Sequence, residues 1–204
     1  MSLVAALLIV DLQYDFLLGG ALGVPDGDVV VPVVNWLIDS FEWRLVLASQ
    51  ARLSPSISRV IRIDTPRRAT ILNDRGFTTV FKPTMEARAL ARSLCTRDEG
   101  IGNRTFAPLD STGRSIVTTL LKNHGIQELV IVGLATDFCV RATCLDALKT
   151  DIDNINVHVV KNAVRGVDRA RSEAALLELA SAGAHIIYEA ADTSMLVKCN
   201  TTTV

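Results

Sequence analysis

The four cysteines of this 204-residue chain, at 95, 139, 144 and 199, form no Cys-x-x-Cys pair and no zinc-like spacing. That absence argues against a disulfide framework and points to reduced thiols in a cytosolic setting. An excess of one charge sign is also missing, with a net charge of −1 and 21% charged residues. A nucleic-acid binder or a membrane-surface protein would carry a basic footprint, so neither class is expected. No apolar run approaches the roughly 18 residues that a membrane-spanning helix needs. The opening MSLVAALLIVDLQ has no basic n-region and stops at Asp11 without a small-residue cleavage site, unlike a signal peptide. Internal repeats and low-complexity tracts are absent as well. A soluble, cytoplasmic protein is the expectation.

What is present suits one domain over residues 1–204, since 49% of the residues are apolar and can bury a single sizeable core. Val4–Val10 is a short continuous apolar run, the mark of a strand buried on both faces. The turn-rich LQYDFLLGGALGVPDGD follows it. Val30, Val33, Val34, Leu37, Ile38 and Phe41 then recur at helical spacing, with Pro32 suited to a first turn. Arg44–Ser49 reads as a strand, Ser111–Asn123 as a helix and Leu129–Val132 as a strand. A helix over about Asp137–Lys149, a strand over Ile155–Val160, a helix over Asp168–Ala182 and a strand over Ala184–Tyr188 complete the series. This alternation predicts a three-layer α/β/α fold around a mainly parallel sheet. Ligands of such sheets bind at the carboxyl ends of the strands. Asp11 and Cys139 both fall at such ends, so one crevice would hold both.

Residues 51–104 differ from their flanks. They hold ten of the sixteen arginines and Lys82 against five acidic residues, a net of +6 beside −7 for the rest of the chain. The segment offers a strand at 77–81 (FTTVF) and a helix at 85–94 (MEARALARSL), but no clear register through Arg52–Arg75.

Cys139 lies in GLATDFC, where a strand hands over to a helix. A helix N-terminus favours the thiolate form of a cysteine, and Thr136 is a candidate N-cap for this one. The same turn would aim backbone N–H groups at the oxyanion of a carbonyl substrate. Asp11 is a candidate base that accepts the thiol proton and returns it to a leaving amine. Cys144, five residues on, reads as core, and Asp137 as a favourable charge in a first helical turn.

The stretches IVDLQYDF with GGALGVPDGD, and GLATDFCVRATCLDAL, resemble the nicotinamidase branch of the isochorismatase-like cysteine hydrolases. The likeness covers about 5–49 and 104–190. It implies hydrolysis of a small-molecule amide through a thioester, with release of ammonia, by an Asp–Lys–Cys triad. Matched by motif, Asp11 is the general base and Cys139 the nucleophile. A cis peptide bond is implied at Leu134–Ala135, with the N–H groups of Ala135 and Cys139 as oxyanion hole, and Phe16 as the aromatic lining the ring pocket. Family members are often dimers or tetramers, so a homo-oligomer is compatible.

Two parts of the family pattern are not met. A Ser-x-Asp-Trp-His-Pro type stretch after the second strand supplies ligands for a divalent metal such as zinc. Here it reads SQARLSPSI, with Ala51 for the aspartate and Leu53 for the histidine. The three histidines, at 124, 158 and 185, lie outside 49–110, so no metal site is supported and no cofactor is identifiable. No lysine stands at the family's usual distance before the cysteine. Lys82 is 57 residues upstream, and Arg97 and Arg104 are closer but cannot shuttle a proton, so the third member is unassigned. Either 51–104 has truly diverged, or it is read from a shifted frame or wrong splice. Three readings follow: a nicotinamidase-like amidase, a metal-independent hydrolase of another small amide or N-carbamoyl compound, and a catalytically silent binding homologue.

Overall fold

The computed structural model describes residues 4–49, 78–80, 105–106 and 115–198. The predicted helix at 85–94 and the cysteines at 95 and 199 lie outside them. The first strand, β1 (Ala5–Val10), is buried along its whole length, as its unbroken apolar run requires. Helix α1 (Val30–Ser40) and strand β2 (Leu45–Ala48) follow. The chain continues with β3 (Thr78–Val80), α2 (Ile116–Asn123), β4 (Glu128–Leu134) and a π-helical turn at Thr136–Val140. Then come α3 (Arg141–Leu148), β5 (Asn156–Arg165), α4 (Arg169–Ser181) and β6 (His185–Ile187).

The described strands form one sheet in the order β3-β2-β1-β4-β5-β6. Five strands run parallel, and β3 joins the edge antiparallel to β2. The sheet has a helical layer on each face, which is the α/β/α arrangement expected. Side chains alternate along each strand. Leu7 and Ile9 of β1 face α1, packing with Val34, Leu37 and Ile38. Ala6, Leu8 and Val10 face the other layer, with Leu120 and Leu121 of α2, Cys144 of α3 and Leu179 of α4.

The strand and helix boundaries fall within a few residues of those expected, with two differences. Strand β5 extends to Arg165, beyond the expected end at Val160, because an irregularity in its pairing between Ile131 and Gly133 of β4 lets it continue. Helix α2 starts at Ile116, where the Ser115 side chain accepts the Thr118 N–H; 111–114 lie outside the described residues. The described part of the segment after Tyr188, up to Lys198, packs on its own chain. Ala190, Thr193 and Val197 are buried there, and the Lys198 carbonyl accepts the Glu42 N–H at 2.8 Å. Among the described residues no helix is long and apolar enough to cross a membrane.

Candidate active site

The sheet order puts β1 beside β4, with Val10 opposite Gly133. Asp11 and the turn carrying Cys139 therefore leave the same edge of the sheet from neighbouring strands, at the point where chain direction around the sheet reverses. The approach is close. A Cβ on Gly133 would lie 2.1 Å from the Val10 carbonyl oxygen, and Gly133 has φ +115°, a conformation that side chains resist.

Asp11 is fully buried and takes φ 46°, in the left-handed region that aspartate tolerates better than most residues. Its backbone N–H reaches Ser49, 3.1 Å from the hydroxyl and 3.2 Å from the carbonyl oxygen. The Ser49 hydroxyl donates to Asp11 Oδ1 at 2.8 Å. Ser49, at the end of β2, thus fixes both the backbone and the carboxylate of the candidate base. Ser49 stands at the serine of the family's Ser-x-Asp stretch, but the sequence does not say which strand end it meets.

The loop after Asp11 folds back tightly. Buried Gln13 donates through Nε2 to buried Asp15 Oδ2 at 2.7 Å, and the Val24 N–H donates to the Phe16 carbonyl at 2.9 Å. Phe16 is half-buried against the α1-side core.

The Leu134–Ala135 peptide bond is cis, as the motif implied. Leu134 and Ala135 are both buried. After them the chain turns in a π-helical loop, in which the N–H groups of Phe138 and Val140 both reach the Ala135 carbonyl at 3.1 Å. Thr136 is not the N-cap. The first helical bonds converge on Ala135, which takes that place without a side-chain bond, while Thr136 is drawn inside the turn. Cys139 is half-buried in this turn, and α3 continues directly from it. Phe138 stands exposed beside it at the rim.

Asp137, expected only to complement a helix dipole, ties the turn to the β5–α4 loop. Its carboxylate accepts the N–H groups of Val167 (3.0 Å) and Asp168 (3.2 Å). Gly166 lets this happen, because a Cβ there would fall 2.6 Å from Asp137 Oδ1 and 1.9 Å from Ser172 Oγ. Cys144 is core, as expected: it is fully buried, and burial pushes its thiol up to about 12.

The described residues do not fit a metal of the family's kind. Ala51 and Leu53 lie outside them, and neither side chain can ligate. His124 caps the end of α2. His158 and His185 stack on each other near the amino ends of β5 and β6, opposite the crevice, with His158 bonded to Glu128. Among the described residues no group of three His, Cys, Asp or Glu side chains is placed to hold a metal ion. Lys82, Arg97 and Arg104 lie outside the described residues.

Comparison with known proteins matches residues 5–191 to the isochorismatase domain model. The nicotinamidase of Escherichia coli K12 is 34% identical over 211 residues, covering 92% of this chain and 95% of that protein. Among solved structures, the pyrazinamidase of Pyrococcus horikoshii in complex with zinc superposes with a TM-score of 0.61 at 27% identity, covering 90% of this chain and 98% of its own. A protein of L. infantum in complex with nicotinate has the same fold, with a TM-score of 0.66 at 20% identity, covering 94% and 96%.

Proposed function

The chain belongs to the isochorismatase family, and from that premise we propose that it is a cysteine-dependent amide hydrolase whose leading substrate is nicotinamide. The observation that carries this reading is the adjacency of β1 and β4, which brings a buried, hydrogen-bonded Asp11 and the Cys139 turn to one edge of the sheet. Asp11 takes the proton of the Cys139 thiol, and the thiolate attacks the amide carbonyl. The N–H groups of Ala135 and Cys139 hold the oxyanion. The proton on Asp11 passes to the leaving nitrogen, and ammonia departs from a thioester. Water then gives a proton to Asp11 and attacks the acyl carbon, the carboxylic acid leaves, and the thiol is restored. Phe16, with Leu134 and Ala135, lines the pocket for the ring. No step is assigned to a metal or to a third catalytic residue.

Ammonia release from nicotinamide by the purified chain tests this, with and without added zinc. Cys139→Ala should abolish release, and release that persists in that variant would sink the mechanism. A second reading rests on Ala51 and Leu53 standing at the family's metal-ligand positions: a metal-independent hydrolase of another small amide or N-carbamoyl compound. Turnover of such a compound, unaffected by a chelator and without turnover of nicotinamide, would select it.

A further inference from the structure

Behind the Cys139 turn, toward β5 and α4, lies a cavity of about 390 Å³, within the range of roughly 300–1,000 Å³ usual for small-molecule sites. Asp11, Phe16 and Cys139 do not line it, so it is separate from the proposed catalytic crevice. Its apolar wall includes Pro25, Val164, Val167 and Leu176.

Among the described residues, the charged groups on its walls are Lys161, Arg165, Arg169, Asp26 and Glu173. Lys161 is paired with Glu173 at 3.1 Å. Asp26 is exposed on the facing loop. Arg165 is half-buried, and its one hydrogen bond among the described residues runs from Nη1 to the carbonyl of its own neighbour Val164 at 2.7 Å. Neither Arg165 nor Arg169 has a carboxylate partner among the described residues. A guanidinium partly withdrawn from water without an anion is an incomplete arrangement, and its planar fork matches a carboxylate. Thr136 adds a second polar group. It is 2% exposed and lines the cavity.

The start of α4 is not the source of anion affinity. Asp168 already caps it by accepting the Arg171 N–H at 2.7 Å, and Asp137 occupies the two preceding N–H groups. The net of one positive charge on the described lining residues suits a monoanion rather than phosphate, and the apolar wall suits a ring. We propose that this cavity is a second, non-catalytic site for a small ring-bearing carboxylate, held by Arg165 and Arg169 with the Thr136 hydroxyl. Its occupant would touch the first residue of the turn that carries Cys139.

Calorimetric titration of the full chain with benzoate tests this without relying on turnover, so a negative hydrolysis assay leaves it standing. Saturable binding is expected, weakened about tenfold or more in Arg165→Gln and weakened also in Arg169→Gln. Binding should persist in Phe16→Ala and Cys139→Ala, which separates this site from the crevice. Absence of saturable binding would overturn the proposal, as would binding lost in Phe16→Ala and kept in Arg165→Gln. If Arg165→Gln fails to fold by circular dichroism, unchanged binding in both Arg169→Gln and Thr136→Val overturns it. Inorganic phosphate that displaces benzoate at equal concentration would refute the choice of a ring acid.

Discussion

Ser49 holds the candidate base Asp11 through both its backbone N–H and its carboxylate, and a buried carboxylate performs only in the orientation its partners hold. Ser49→Ala removes the hydroxyl donor while leaving the fold of β2 intact. In the ammonia-release assay it should lower kcat about tenfold with KM nearly unchanged. A change confined to KM would show that Ser49 acts on substrate and not on Asp11. The two described cysteines should separate by chemistry. Cys139 is half-buried in a helical turn, whereas Cys144 is fully buried with its thiol pushed up to about 12. Iodoacetamide at neutral pH should therefore label Cys139 and spare Cys144 until the chain is unfolded. Arg141 lies between them, so tryptic peptides report each one independently. Slow labelling of Cys139 would instead favour a catalytically silent homologue.

At the scale of elements, the β1–β4 pair is the frame of the site. Gly133 is the position where it tolerates least, because the atom that a Cβ would strike is the backbone oxygen of Val10, which cannot rotate away. Gly133→Ala should cost about 3 kcal/mol or more in chemical denaturation, and should reduce activity even where folded protein remains. An unchanged denaturation midpoint would mean that the strands separate more readily than their register suggests. The Asp137 bonds to Val167 and Asp168 give the π-helical turn its second attachment, so the candidate nucleophile is held from both β4 and the β5–α4 loop.

The described residues divide between an end that holds the candidate site and an end that is structural. At the carboxyl ends of the strands lie Asp11, Cys139 and the cavity lined by Arg165. Near the amino ends, buried Glu128 accepts from Asn156 at 2.8 Å and meets His158 at 2.5 Å. Burial holds His158 below its ordinary value of 6.5, outweighing the pull of Glu128 in the other direction. The unfolded chain therefore takes up the proton first on acidification. The stability that this histidine contributes is complete above about pH 6.5 and falls as pH drops toward the folded value. Urea denaturation at about pH 7.5 and about pH 5.5 should show this loss, and His158→Gln should shrink it. His124, also lowered by burial and by nearby Arg44, leaves a residual dependence of the same sign. An undiminished pH dependence in His158→Gln would assign the effect elsewhere.

The sequence by itself determined the layers and the order of elements. Unbroken apolar runs such as Val4–Val10 and helical spacing such as Val30 to Phe41 are local patterns, and burial on two faces or one follows from them directly. It also marked Asp11 and Cys139, because their chemistry shows in residue type and motif. Only the tertiary structure decided which strand ends meet, since β1 and β4 are more than a hundred residues apart in the chain. The same holds for Ser49 on Asp11, for Asp137 on the β5–α4 loop and for the packing of 190–198. Each joins groups distant in sequence, so no local pattern announces it. Contacts of that kind are fixed by the packing of the whole sheet.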